Sequence, residues 1–145
     1  MIQIKQITEK DVTKEKLNEL VTLLQQLSTS CNESLVMNAI KSSQSCIFIA
    51  TTDENKIVGT ATLGYINCFT GLRVHIEDVV VDSDYRGKGI ASNLINEAIE
   101  RAKILQAKTI DLTSRPERES ANRLYQKLGF VKRDTNVYRY TNQIQ

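Results

Sequence analysis

Apolar and polar residues alternate over positions 2 to 7, the pattern of a half-buried strand. The period then changes. Leu17, Leu20, Val21, Leu24 and Leu27 recur at three- and four-residue steps and predict a helix over about 13–28, with a shorter one over Glu33 to Ser42. The run Cys46-Ile47-Phe48-Ile49-Ala50-Thr51 reads as a buried strand, Asp53-Glu54-Asn55-Lys56 as a hairpin turn, and Ile57 to about Ile66 as the returning strand. A loop over Cys68 to Gly71 leads into a long strand from Leu72 to Val81. Ile90, Leu94, Ile95, Ala98, Ala102 and Leu105 form one face of a helix over about 90–105, followed by a strand over 108–113. A last helix from about Arg118 to Leu128 stops at Gly129, and Phe130–Lys132 with Val137–Thr141 reads as a closing pair of short strands.

The order is therefore β-α-α-β-β-β-α-β-α-β-β, an α/β fold of the α+β kind. Hairpins come first and one βαβ crossover follows, so the expected sheet is mixed and mostly antiparallel, with about seven strands and about four helices. With 145 residues and no Pro/Gly/Ser-rich linker, positions 1–145 are expected to be one domain. The formal charge of +2 gives no electrostatic case for nucleic acid, and no apolar run reaches membrane-spanning length. Cys31, Cys46 and Cys68 are odd in number and fit no zinc spacing, so no metal is expected. With no signal peptide visible, a reducing cytoplasm is the simple reading.

The most informative stretch is Val79-Val80-Val81-Asp82-Ser83-Asp84-Tyr85-Arg86-Gly87-Lys88-Gly89-Ile90-Ala91. A β-branched run feeds a short polar turn, and the turn opens directly into an amphipathic helix. Main-chain N–H groups at such a helix start hold a phosphate or pyrophosphate, and Arg86 and Lys88 add positive charge. Three phosphate-binding turns compete. Gly87-Lys88-Gly89 begins the dinucleotide pattern, but Ser92 stands where its third glycine belongs, and a P-loop is missing. What remains is Arg-x-x-Gly-x-Ala, formed by Arg86, Gly89 and Ala91.

On these residues the chain resembles the GCN5-related N-acetyltransferases (GNAT), whose acetyl-coenzyme A site carries Gln/Arg-x-x-Gly-x-Gly/Ala after a strand. The resemblance runs from about residue 47 to 140. It implies that the backbone of Val79, Val80 and Val81 pairs with the pantetheine arm like an added strand. It also implies that the N–H groups of Arg86, Gly87, Lys88, Gly89, Ile90 and Ala91 hold the pyrophosphate. A second element is Asn122-x-x-Tyr125 followed by Gly129-Phe130. By the same resemblance, Asn122 steadies the cofactor and Tyr125 lies near the thioester sulfur. The chemistry suits a phenol there: a thiol has a pKa of about 8.5 and tyrosine about 10, so a neutral Tyr can donate a proton to a departing thiolate. The plainer reading of Tyr125 is an aromatic flank of a surface helix.

An attacking amine must be neutral, yet alkyl amines are protonated at pH 7, so a base is expected near the acceptor. On the long strand, strict alternation puts His75 and Glu77 on one face and Asp78 on the other. A bulge, which the family shows in this strand, would disturb that parity. Glu77 is the first candidate base and His75 the second; both also read as satisfied polar groups of a half-exposed strand. Backbone N–H at Val80 or Val81 suits the oxyanion. The run from His75 to Val81 is similar to that of the amino-sugar-phosphate acetyltransferases in the family, whereas Asp111-Leu112-Thr113-Ser114-Arg115-Pro116 departs from them. The resemblance places the acceptor between the first two helices, the loop near Tyr65 to Leu72 and the last hairpin, where Arg73, Arg115, Arg118, Tyr138 and Arg139 would line it or be solvated.

The expected activity is acetyl transfer from acetyl-coenzyme A, as co-substrate, directly to a primary amine. No cysteine motif suggests a covalent acyl intermediate. A small-molecule amine is the expected acceptor, with an amino sugar and a protein amine both open; dimers are frequent in the family, so a homodimer is open too. The alternatives are a non-catalytic acyl-coenzyme A binding or sensing module of the same fold and, further off, a nucleotide-binding α/β protein.

Overall fold

Ile47 and Ile49 face one side of the strand Ser45–Thr51, Phe48 and Ala50 face the other, and all four are buried. A strand that is apolar on both faces needs cover on both. In the computed structural model, which describes residues 1–143, that cover comes from three helices.

The first of two compact units, Met1–Thr113, contains the strands β1 (Gln3–Ile7), β2 (Ser45–Thr51), β3 (Ile57–Cys68), β4 (Gly71–Val81) and β5 (Ile110–Asp111) and the helices α1 (Lys14–Leu24), α2 (Glu33–Lys41) and α3 (Ile90–Ile104). The sheet order is β1-β2-β3-β4-β5; the first four strands are antiparallel and β5 is parallel to β4, so the crossover runs through α3 as expected. α1 and α2 supply Leu20, Leu23, Val36 and Ile40 to a core with Ile7, Ile47, Ile49, Ile57 and Val80. α3 buries Ile90, Leu94, Ile95, Ala98 and Ala102. It seats on the opposite face, where a Cβ on Gly59 would come within 3.1 Å of both Ile90 and Leu94.

Both early helices start at a side-chain cap: Thr13 Oγ1 accepts from Lys16 N at 3.1 Å and Asn32 Oδ1 from Leu35 N at 2.9 Å. α1 stops at Leu24, short of the apolar spacing that extends to Leu27. There the chain tightens into i→i−3 bonds, Gln26 N to Leu23 O and Leu27 N to Leu24 O, and leaves Leu27 exposed.

The second unit begins at Ser114 and holds α4 (Glu119–Lys127). The sheet has five strands where the sequence pattern suggests about seven. Among the described residues, 130–132 and 137–141 form no strand; Val131, Val137, Tyr138 and Tyr140 are exposed. β-forming residues make a strand only where a ladder partner and a covered face are supplied, and these have neither. The strand expected over 108–113 is likewise reduced to the two residues that pair with Val74 and His75. Among the described residues, no helix is long and apolar enough to cross a membrane.

Candidate active site

The register of β4 against β3 breaks beside the site. Thr62 pairs with Glu77 and Thr60 with Val80, so Asp78 and Val79 together oppose the single residue Ala61. This is a β-bulge on β4, and its first residue, Asp78, adopts a left-handed φ of 52°. Aspartate tolerates that conformation better than most residues do. The bulge overturns strict alternation: Asp78 lines a cavity on the α1–α2 face together with Thr60 and Thr62, the face to which Glu77 and Val80 also belong.

That cavity has a volume of about 220 Å³ and lies between α1, α2 and strands β2 to β4. Leu20, Leu24, Val36, Ile40 and Ile47 make aliphatic walls. Asp78 is the one carboxylate in its lining, and among the described residues no Lys, Arg or His joins it. Thr60 is tied down, its hydroxyl donating to Phe48 O at 2.8 Å. Cys31 also lines the space; burial pushes its thiol pKa up, and the negative charge of Asp78 pushes it further.

Along β4 the second edge is open. β5 pairs with Val74 and His75, and among the described residues no strand pairs with Glu77–Val81 on the side away from β3. Such an edge offers main-chain donors and acceptors to an extended ligand. Past it, Asp82 N donates to Val58 O at 2.8 Å, the Asp82 side chain accepts from Asp84 N, and a short 3-10 turn (Ser83–Tyr85) delivers the chain to Arg86.

Gly87 and Gly89 have φ of 79° and 77°, and a Cβ on either would meet no heavy atom within 4 Å. Their outer surface is therefore open. Gly89 is the N-cap of α3, no side chain caps that end, and the first turn carries no acidic residue. The first N–H groups of a 15-residue helix are thus free to receive an anion. Three cations gather beside them. Arg86 is exposed, with its Nε 3.4 Å from Val81 O, and the ammonium groups of Lys88 and Lys56 lie 5.3 and 5.6 Å from the centre of the Tyr85 ring. An open, uncapped, cationic helix start next to a free strand edge fits a diphosphate with an extended arm, the chemistry of coenzyme A.

In the second unit, α4 ends in a Schellman turn. Phe130 N donates to Tyr125 O at 2.9 Å and Gly129 N to Gln126 O at 3.1 Å, with Gly129 at φ 103°. The rings of Phe130 and Tyr125 meet edge to face with centroids 6.1 Å apart, so the terminator also locks the tyrosine in place. Tyr125 is 8% exposed, more buried than Ala121, Leu124 or Leu128 on the same helix. Asn122 Nδ2 donates to Arg115 O at 3.0 Å, which ties the helix to the segment before it.

The first unit thus brings together Val79, Val80, Val81, Arg86, Gly87, Lys88, Gly89, Ile90 and Ala91 at one end of β4, with His75 and Glu77 a few residues back along the same strand. Sequence reasoning missed three things: Lys56, which reaches the turn from the β2–β3 hairpin; Thr60 and Thr62; and the orientation of Asp78. The adjacent acidic pair Glu77-Asp78, which breaks the alternation just before the apolar run Val79–Val81, was the available signal for the last. Among the described residues no group of three or more His, Cys, Asp or Glu is placed to hold a metal ion.

The acetyltransferase (GNAT) family profile matches residues 10–130. L-2,4-diaminobutyric acid acetyltransferase of Marinococcus halophilus is 32% identical over 112 residues, covering 73% of this chain and 64% of that protein. N-alpha-acetyltransferase 30 of Homo sapiens is 34% identical over 90 residues, covering 58% of this chain and 25% of that protein. The matches span from about a quarter to about two thirds of the length of the curated relatives. Among solved structures, an acetyltransferase of Trypanosoma brucei superposes with a TM-score of 0.80 at 24% identity, covering 97% of this chain and 100% of that one.

Proposed function

Because this chain belongs to the GNAT acetyltransferase family, we propose that it transfers an acetyl group from acetyl-coenzyme A directly to a primary amine. The observation that carries this reading is the uncapped start of α3, where two left-handed glycines leave open space over free main-chain N–H groups beside Arg86, Lys88 and Lys56.

Acetyl-coenzyme A, when bound, supplies the acyl group as a reactive thioester. The N–H groups from Arg86 to Ala91 would hold its pyrophosphate, the open edge at Val79–Val81 its pantetheine arm, and Asn122 is the further residue assigned to it. The chain then has three tasks. An amine that arrives protonated must lose a proton; the carboxylate of Glu77 takes it, directly or through water, with His75 as the second candidate. Charge gathering on the carbonyl oxygen is met by main-chain N–H of Val80 or Val81. As the C–S bond breaks, the departing thiolate receives a proton from the Tyr125 hydroxyl, and the second amine proton, shed as the amide forms, returns to that hydroxyl.

Two measurements test this. Coenzyme A should raise the melting temperature while NAD and ATP do not, the shift growing with ligand concentration by mass action. A panel of primary amines should then include at least one that releases free thiol from acetyl-coenzyme A. Stabilisation by NAD or ATP instead would overturn the ligand, and coenzyme A binding without turnover of any amine would favour a sensing module.

A further inference from the structure

Resting on that reading, we infer that the acceptor is an amine on a compact apolar body, seated in the α1–α2 cavity with its ammonium group against Asp78. Three observations converge. Most of the lining is aliphatic and rewards an apolar body, with the hydroxyl residues Ser28, Ser30, Thr60 and Thr62 as its neutral polar part. Asp78 is the one carboxylate in the lining and no basic side chain joins it, so the space carries negative charge alone. It therefore attracts a cation and repels a phosphate or carboxylate, which argues against an amino-sugar phosphate. Finally, the strand spends a left-handed non-glycine residue to turn that carboxylate toward the cavity. Strained backbone of this kind persists where the surroundings use it.

Size narrows the class further. An apolar cavity of about 150 Å³ accepts benzene, so one of 220 Å³ accommodates a group of about nine heavy atoms by proportion. Branched alkyl and arylalkyl amines fit this; 2-phenylethylamine is a suitable representative. The arginines Arg73, Arg115, Arg118 and Arg139 are absent from the lining of the cavity.

Cys31 provides a readout independent of catalysis. In the full chain without cofactor, alkylation of Cys31 by iodoacetamide is followed by mass spectrometry of its peptide. Saturating 2-phenylethylamine should slow it about tenfold or more, glucosamine 6-phosphate should leave it unchanged, and Asp78→Asn should abolish the protection. In the thiol-release assay, kcat/KM should rise about fourfold per methylene from ethylamine toward 3-methylbutylamine. Ala39→Leu, which narrows the cavity, should cut turnover of 2-phenylethylamine while sparing ethylamine; a merely structural defect would lower both. Absence of protection by the apolar amine, protection by the phosphorylated one, or preference for 2,4-diaminobutyrate over 3-methylbutylamine would overturn the inference. All three outcomes leave the acetyltransferase reading standing, since that fails on the coenzyme A measurements.

Discussion

The thiol of Cys31 and the carboxylate of Asp78 line one cavity, and the charge of the second holds back ionisation of the first. Burial is the larger cause of the raised thiol pKa and Asp78 the smaller. A raised thiol pKa leaves less thiolate at a given pH, and the thiolate is the nucleophile. Its contribution to folding is intact below the unfolded pKa and is lost as pH rises through the folded one. Asp78→Asn should therefore speed alkylation of Cys31 at pH 8 about twofold in the absence of amine. An unchanged rate would separate the two groups.

Gly89→Val places a β-branched residue at φ 77° on the N-cap of α3. No protein atom stands in the way, so the cost to folding is conformational, about 1–3 kcal/mol. The lost surface is the one assigned to the pyrophosphate. Calorimetric titration should show coenzyme A binding weakened about 100-fold or more, with the circular dichroism of the native fold retained. Tight binding by this variant would mean the turn is not the site.

Gly59→Ala acts from beneath. The new methyl would stand 3.1 Å from Ile90 and from Leu94, the residues that seat the first turn of α3. Overpacking of this kind costs about 1–3 kcal/mol and moves the helix start. Chemical denaturation should show the loss, and coenzyme A affinity should fall with it, although Gly59 touches no ligand in this scheme.

Tyr125→Phe keeps the ring that packs on Phe130 and removes only the hydroxyl. It should lower kcat about 10²–10⁴-fold and leave the dissociation constant of coenzyme A unchanged. A kcat within twofold of the parent would assign the proton to water.

Glu77→Gln should flatten the rising limb of the pH–rate profile, since the glutamine cannot accept the amine proton. A limb that keeps its shape would transfer that role to His75, and His75→Asn should then flatten it instead.

Local features of the site were legible in the chain because short-range physics makes them. The glycine turn and the helix after it follow from residues 86–105 alone: left-handed glycines, then apolar positions at helical spacing. Gly129 announces the end of α4 in the same way, since the Schellman bonds join residues at most five apart. The open edge of β4 was half legible: the β-branched run marks the strand, but that β5 covers only Val74 and His75 is a matter of pairing.

The sequence by itself determined where the helices and the first four strands lie, which of their faces are apolar, and that α3 starts at a glycine turn without a side-chain cap, because each depends on neighbours a few residues away. Tertiary structure alone decided the rest. Alternation sends Asp78 away from His75 and Glu77; the register of β3 against β4 supplies one residue too few, and the resulting bulge turns Asp78 into the cavity. The segments 130–132 and 137–141 have strand-forming residues and no ladder to join. Register and pairing arise from partners distant in the chain, and local propensity carries no record of them.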